Sequence, residues 1–246
     1  MNSTVRPRRD LIIALLVTLN CPSSISSAAE SKRTTPELTT CEAAATMVER
    51  ELELWKRMRT SLRMTPALQG PDVLMARMIV LPSNFSEWQV SLYLGSSGEA
   101  RLEAVLAKRS VYQSNHEEKQ GTVALKENPE IGTPDYYQAP VERNVAEAIG
   151  RVWSQVIHRS QLPKPQPSGS TDRTTYIFSR WVQGEGEICG EIREPVAGSI
   201  PERLTLLGKD LREFARSDEM KRKDLMQSIQ RDLDLTQSQL NQSNKE

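Results

Sequence analysis

The chain of 246 residues has little of what most protein chemistries require. Only two histidines and three cysteines occur, and no His-x-x-x-His, Cys-x-x-Cys or similar spacing signals the three or four convergent ligands of a metal site. A Gly-x-Ser-x-Gly elbow, a phosphate-binding glycine loop and a dinucleotide fingerprint are all missing. Lys+Arg and Asp+Glu balance at 32 each, so the chain as a whole offers nucleic acid no excess of positive charge. No apolar run reaches the roughly 20 residues of a spanning helix. The composition is equally unlike a collagen-like chain or a disulfide-dense miniprotein. These absences assign no catalytic residue, no cofactor and no metal, and they predict no nucleic-acid partner and no transmembrane span in the mature protein.

What is present begins at the N-terminus. Arg6, Arg8 and Arg9 precede the apolar run Leu11 to Val17, and small residues end the segment at Ser26-Ser27-Ala28-Ala29. A basic start, a short apolar core and a small-residue exit make a secretory signal peptide over residues 1–29, cut after Ala29. Two alternatives stay open: an uncleaved N-terminal anchor, and lipoprotein processing before Cys21, where Asn20 stands in place of the usual small residue. Cleavage after Ala29 removes three Arg and one Asp, leaving 29 basic and 31 acidic residues. It also removes Cys21, so Cys41 and Cys189 remain. In an oxidising compartment two cysteines most simply pair with each other, and buried free thiols are the other reading.

Residues 30–39 read as a polar leader. Residues 41–62 show apolar positions at Ala44, Met47, Val48, Leu52, Trp55, Met58 and Leu62, the spacing of an amphipathic helix capped by Thr40. Residues 73–81 are almost continuously apolar, with Arg77 the one charge, and read as a strand. Residues 88–94 alternate as a second strand. After Gly95-Ser96-Ser97-Gly98 comes a segment from Ala100 with helical propensity but strand alternation, read as the hairpin partner. Residues 113–140 lack a period and read as a long loop. A helix is expected over 141–161, strands over 175–182 and 187–193, and a helix opened by Pro201 whose stripe is Leu204, Leu207, Leu211 and Phe214. Beyond Arg216 the apolar positions thin to Met220, Leu225, Ile229 and Leu233, so residues 217–246 are expected to form a polar helical or disordered extension, dispensable for folding. The expectation is one α+β domain over 40–216: a two-layer, about five-stranded, mainly antiparallel sheet covered by three helices in the order α-βββ-α-ββ-α.

Tyr176-Ile177-Phe178-Ser179-Arg180-Trp181-Val182, followed by Gly184, Gly186, Gly190, Glu191, Pro195, Gly198-Ser199, Pro201 and Arg203-Leu204, resembles a segment of about thirty residues in uncharacterised secreted bacterial proteins of similar size. The resemblance implies a bacterial exported domain, periplasmic or secreted, and carries over no catalytic residue.

Few side chains suggest chemistry. His158 falls near a helix C-terminus, where a cation complements the dipole; His116 falls with Glu117 and Glu118 in the loop. Glu185, Glu187 and Glu191 share parity, so an extended Glu185 would place all three on one sheet face, with Glu194 just beyond. Paired carboxylates can serve as acid and base in hydrolysis; a charged sheet edge that discourages strand pairing is the plainer reading. Asn84-Phe85-Ser86 is formally a glycosylation acceptor and reads as a turn. Two functions follow: a non-catalytic cell-envelope domain binding another macromolecule, or a secreted hydrolase using the carboxylates of 185–191.

Overall fold

The computed structural model describes residues 39–40, 57, 62, 68–69, 72–82, 85–110, 116–119, 122–125, 132–160 and 174–243. The signal segment, the leader up to residue 38, Cys41 and nearly all of the expected helix over 41–62 lie outside the described residues. Within that helix Arg57 is described, and it is helical.

The strands are β1 (Thr39–Thr40), β2 (Leu68–Gln69), β3 (Asp72–Leu81), β4 (Trp88–Leu94), β5 (Ala100–Leu106), β6 (His116–Lys119), β7 (Thr122–Leu125), β8 (Asp135–Val141), β9 (Thr175–Val182) and β10 (Gly186–Arg193). The helices are α1 (Arg143–His158), α2 (Ile200–Arg216) and α3 (Glu219–Ser243). Six long strands form one antiparallel sheet in the order β10-β9-β3-β4-β5-β8; β1 adds two residues outside β10 and β2 pairs with β3. The fold is α+β, with six principal strands where about five were expected.

The extra strand is β8. Asp135-Tyr136-Tyr137-Gln138-Ala139-Pro140-Val141 pairs along β5 from Leu106↔Asp135 to Ala100↔Val141. Pro140 hides it from a sequence reading, yet a residue without an N–H is tolerated on an edge strand, and β8 is the end of this sheet. The stretch expected as one long loop thus holds β8 and the separate β6–β7 ribbon, in which His116 sits opposite Leu125. The ambiguous segment after Gly98 is a strand: β5 is hydrogen-bonded on both sides, so tertiary pairing overrides its helical composition. Gly98 takes φ 88°, which the tight turn needs and a side chain would oppose.

Central β3 explains its own apolar run. It lies between β4 and β9 with both faces covered: Ala76, Met78 and Val80 face α1 and α2, while Ile79 packs with Val105 and Leu62 on the other face. From β4, Val90 and Leu92 join the helix-side core, and Trp153 of α1 meets Phe178 of β9 edge to face at 5.6 Å. Two glycines let the helices approach β3 closely. A Cβ on Gly150 would stand 2.8 Å from Met75 Cε, and one on Gly208 would fall on the Met78 thioether.

Ser199 caps α2 by accepting from the Glu202 N–H at 3.3 Å, with Pro201 in the first turn. Asp218 begins α3 by accepting from the Lys221 N–H at 3.0 Å. The segment after Ser217 departs from expectation. It is a 25-residue helix that returns antiparallel along α2, and its Ile229, Leu233 and Leu240 are buried in the same core as α1 and α2. Apolar residues at steps of four and seven, with Thr236 between them, make a narrow stripe that suffices because α3 meets two helices at once. Asp210 accepts from Ser228 and Gln239 from Arg203, and Arg159 donates to the Leu240 carbonyl, fixing the middle and the C-terminal end of α3.

Candidate functional site

The sheet face opposite α1, α2 and α3 carries a connected row of polar groups. Strand parity assembles it: on this face stand Glu187 of β10, Ser179 of β9, Arg77 of β3, Ser91 and Tyr93 of β4, Arg101 and Glu103 of β5, and Tyr136 of β8. Ladder register sets Ser179 and Ser91 on either side of Arg77, and Glu103 beside Ser91.

Arg77 is the centre, and its side chain has no solvent exposure. Its Nε donates to Ser91 Oγ at 3.2 Å, Nη2 to the Tyr93 hydroxyl at 3.0 Å and Nη1 to Glu187 Oε1 at 3.2 Å. Ser179 Oγ donates to the same carboxylate oxygen at 2.8 Å. From Tyr93 the row continues through the Arg101 guanidinium, 5.2 Å from the ring centroid, which donates to Glu103 and to Asp72 at 2.8 Å each. Burial opposes the charge on Arg101, but the bonds to Asp72 and Glu103 outweigh it and hold its pKa above the ordinary value. Tyr136 closes the row: burial, then the Glu103 charge and a hydrogen bond to it, push its phenol up to about 12. The centre is sealed, whereas Glu187 at one end and Tyr136 at the other reach solvent.

The hairpin carboxylates do not share one place. Glu185 lies in the turn between β9 and β10, and Gly186 at φ 88° breaks the extended path that common parity assumed. Its carboxylate instead meets His158 Nε2 at 3.3 Å, with both side chains about half exposed. Glu187 serves as counter-ion to Arg77. Glu191 pairs with Thr39 across the β1 ladder, and Glu194 sits past the strand end.

His158 closes α1 as expected for a residue near the helix C-terminus. Ser154, His158 and Glu185 resemble a hydrolytic triad in outline only. His158 Nδ1 faces the Ser154 carbonyl at 2.8 Å, and a carbonyl only accepts, so this nitrogen carries a proton and is no base for the Ser154 hydroxyl at 3.2 Å. Among the described residues no group of three His, Cys, Asp or Glu is placed to hold a metal, and no helix is long and apolar enough to cross a membrane.

Sequence reasoning missed Arg77, Tyr93, Arg101, Glu103 and Tyr136. One signal was visible: a lone arginine inside an apolar strand requires polar partners. The partners themselves come from strands far apart in sequence. No family model matches the chain, and no curated protein or solved structure resembles it closely enough to count as a match.

Proposed function

We propose that this chain is an exported bacterial cell-envelope protein, periplasmic or secreted, whose mature domain binds another macromolecule without catalysing a reaction. The segment from Arg6 to Ala29 supports export, and the resemblance around Tyr176 to Val182 to uncharacterised secreted proteins supports a bacterial source. The observation that carries binding over hydrolysis is the engagement of the hairpin carboxylates. Glu187 neutralises a buried guanidinium and Glu185 meets an exposed imidazole on a different side of the hairpin, so neither is paired with the other as acid and base.

A Cys41–Cys189 bridge belongs to the same reading. The register Thr39↔Glu191 and Thr40↔Gly190 supports it, because one further step along that antiparallel ladder, were it continued, would set position 41 opposite Cys189. Such a bridge would staple the start of the mature chain to the sheet edge. The test is co-purification from a cell-envelope fraction with mass spectrometry of the partners. A recurrent stoichiometric partner is expected; hydrolysis of envelope polymers that disappears in both Glu185→Gln and Glu187→Gln would overturn the reading in favour of the enzyme.

A further inference from the structure

Helix α2 bears a row of cations at Lys209, Arg212 and Arg216, spaced three and four residues apart and therefore side by side. Each lies over an aromatic ring of the sheet beneath: Lys209 Nζ is 5.8 Å from the Tyr176 centroid, the Arg212 guanidinium 4.2 Å from Trp88 and that of Arg216 5.5 Å from Tyr137. Tyr176, Val80, Trp88, Leu106 and Asp135 form one continuous rung at the end of the sheet, and Tyr137 lies two rungs inward, on the same face. The row thus sits on a rigid aromatic shelf.

Its charges are poorly balanced. The Arg212 Nε is buried without a hydrogen-bond partner, and Arg212 makes no ion pair among the described residues. Glu213 is the acidic neighbour, and it is shared: Lys221 holds it at 2.6 Å and Arg216 at 3.7 Å. Burial, followed by repulsion from Arg216, lowers the pKa of Arg212, with only Glu213 acting the other way. Nearby, Lys108 is matched by Asp135 at 3.5 Å, so it adds no uncompensated charge. Two neighbouring arginines on one helix face repel each other. A guanidinium held over an indole, with no hydrogen bond from its outer N–H groups among the described residues, is instead arranged for end-on recognition of an oxyanion.

We propose that Arg212, with Arg216 and Lys209 beside it, binds a phosphate group. A dianion suits three adjacent cations better than a single carboxylate, and the neutrality of the whole chain does not bear on a local excess. The site does not depend on export, and its failure would leave the localisation reading untouched.

The probe is inorganic phosphate, titrated into the full chain against sodium chloride at matched ionic strength, with heat, thermal melting and indole fluorescence as readouts. Saturable binding with a rise in melting temperature is expected, along with a fluorescence change that is lost in Trp88→Phe. Arg212→Gln should weaken binding by roughly tenfold or more, as loss of a charged hydrogen bond does. Arg216→Gln should weaken it as well, and either variant must keep the wild-type circular dichroism to count. A second arm uses phosphatidic acid vesicles against phosphatidylcholine vesicles. Arg212-dependent capture by the former identifies a lipid headgroup as the source, and binding of free phosphate alone identifies a soluble phosphate compound. Equal responses to phosphate and chloride, or undiminished phosphate binding in both folded variants, would overturn the proposal.

Discussion

Arg77 brings a charge to the middle of a sheet with no exposed side-chain surface, and among the described residues it donates to Ser91 and Tyr93 of β4 and to Glu187 of β10. Removing one partner of a buried pair commonly costs about 3 to 5 kcal/mol, because the remaining charge stays desolvated. Glu187 retains 32% side-chain exposure, so water can replace part of what its carboxylate supplies. We therefore expect Arg77→Ala to destabilise the fold by about 3 kcal/mol or more and Glu187→Gln by about half that. Urea unfolding of both variants and of the double mutant measures the coupling, and additive losses would show that the pair is not one unit. Tyr136 gives a pH prediction. Its folded pKa of about 12 lies above the ordinary value near 10, so the protonated phenol favours the folded state. Its stabilisation is complete below about pH 10 and is lost as pH rises through about 12. A tyrosine ring-carbon NMR titration should show a resonance titrating at about pH 12, distinct from that of Tyr176, which burial also raises; it should be absent in Tyr136→Phe and shifted towards the ordinary range in Glu103→Gln.

At the scale of elements, α3 reverses the expectation drawn from its sparse apolar residues. Ile229, Leu233 and Leu240 are essentially inaccessible to solvent. At about 1.5 to 3 kcal/mol for each fully buried side chain, they contribute up to about 5 to 9 kcal/mol against a typical total margin of about 5 to 15. A chain ending at Ser217 should consequently fail to fold or melt far below the full chain. Leu240→Ala should cost about 2 to 5 kcal/mol, roughly 4 to 20 °C in melting temperature for a domain of this size. A truncation that melts with the full chain would return α3 to the status of an appendage. The glycine seat of α2 gives an independent check. Alanine is the better helix former by about 1 kcal/mol, but at position 208 its methyl group would meet the buried Met78. Gly208→Ala is expected to lower the melting temperature, and a rise would mean that Met78 has room to move. These elements also show what a sequence can and cannot reveal. Strands β3, β4, β9 and β10 and helices α1 and α2 were legible from local signals: the apolar run of β3, the alternation of β4, the β-branched and aromatic residues of β9, the helical spacing of α1 and α2, and punctuation such as Gly98 or Pro201. Strand β8 was not, since its place depends on β5 rather than on alternation, and Pro140 argues against it locally. Helix α3 was underread because a narrow stripe is worth little until two helices flank it. The polar row was hidden for a related reason: the lone Arg77 could be seen, whereas Tyr93, Glu103 and Glu187 become its neighbours only through sheet register.

For the whole molecule, we propose an exported chain whose two-layer α+β domain engages Glu187 with Arg77 and Glu185 with His158 rather than pairing the two carboxylates with each other. Its helix side is closed by α3, and its edge strand β8 carries Pro140, which blunts further strand addition. Binding is therefore expected through side chains at the ends of the polar row and along α2, not through extension of the sheet. Export and the Cys41–Cys189 bridge are the parts on which the functional reading depends most. A loop of this length, once closed, adds about 4 to 5 kcal/mol in the chain-entropy description. One measurement addresses both: the intact mass of the protein isolated from a cell-envelope fraction and alkylated without reduction. The expected species is a chain beginning at Glu30 that carries no alkyl group until it is reduced. A chain retaining Met1 in the cytosol, or a mature chain alkylated at both Cys41 and Cys189 before reduction, would contradict it.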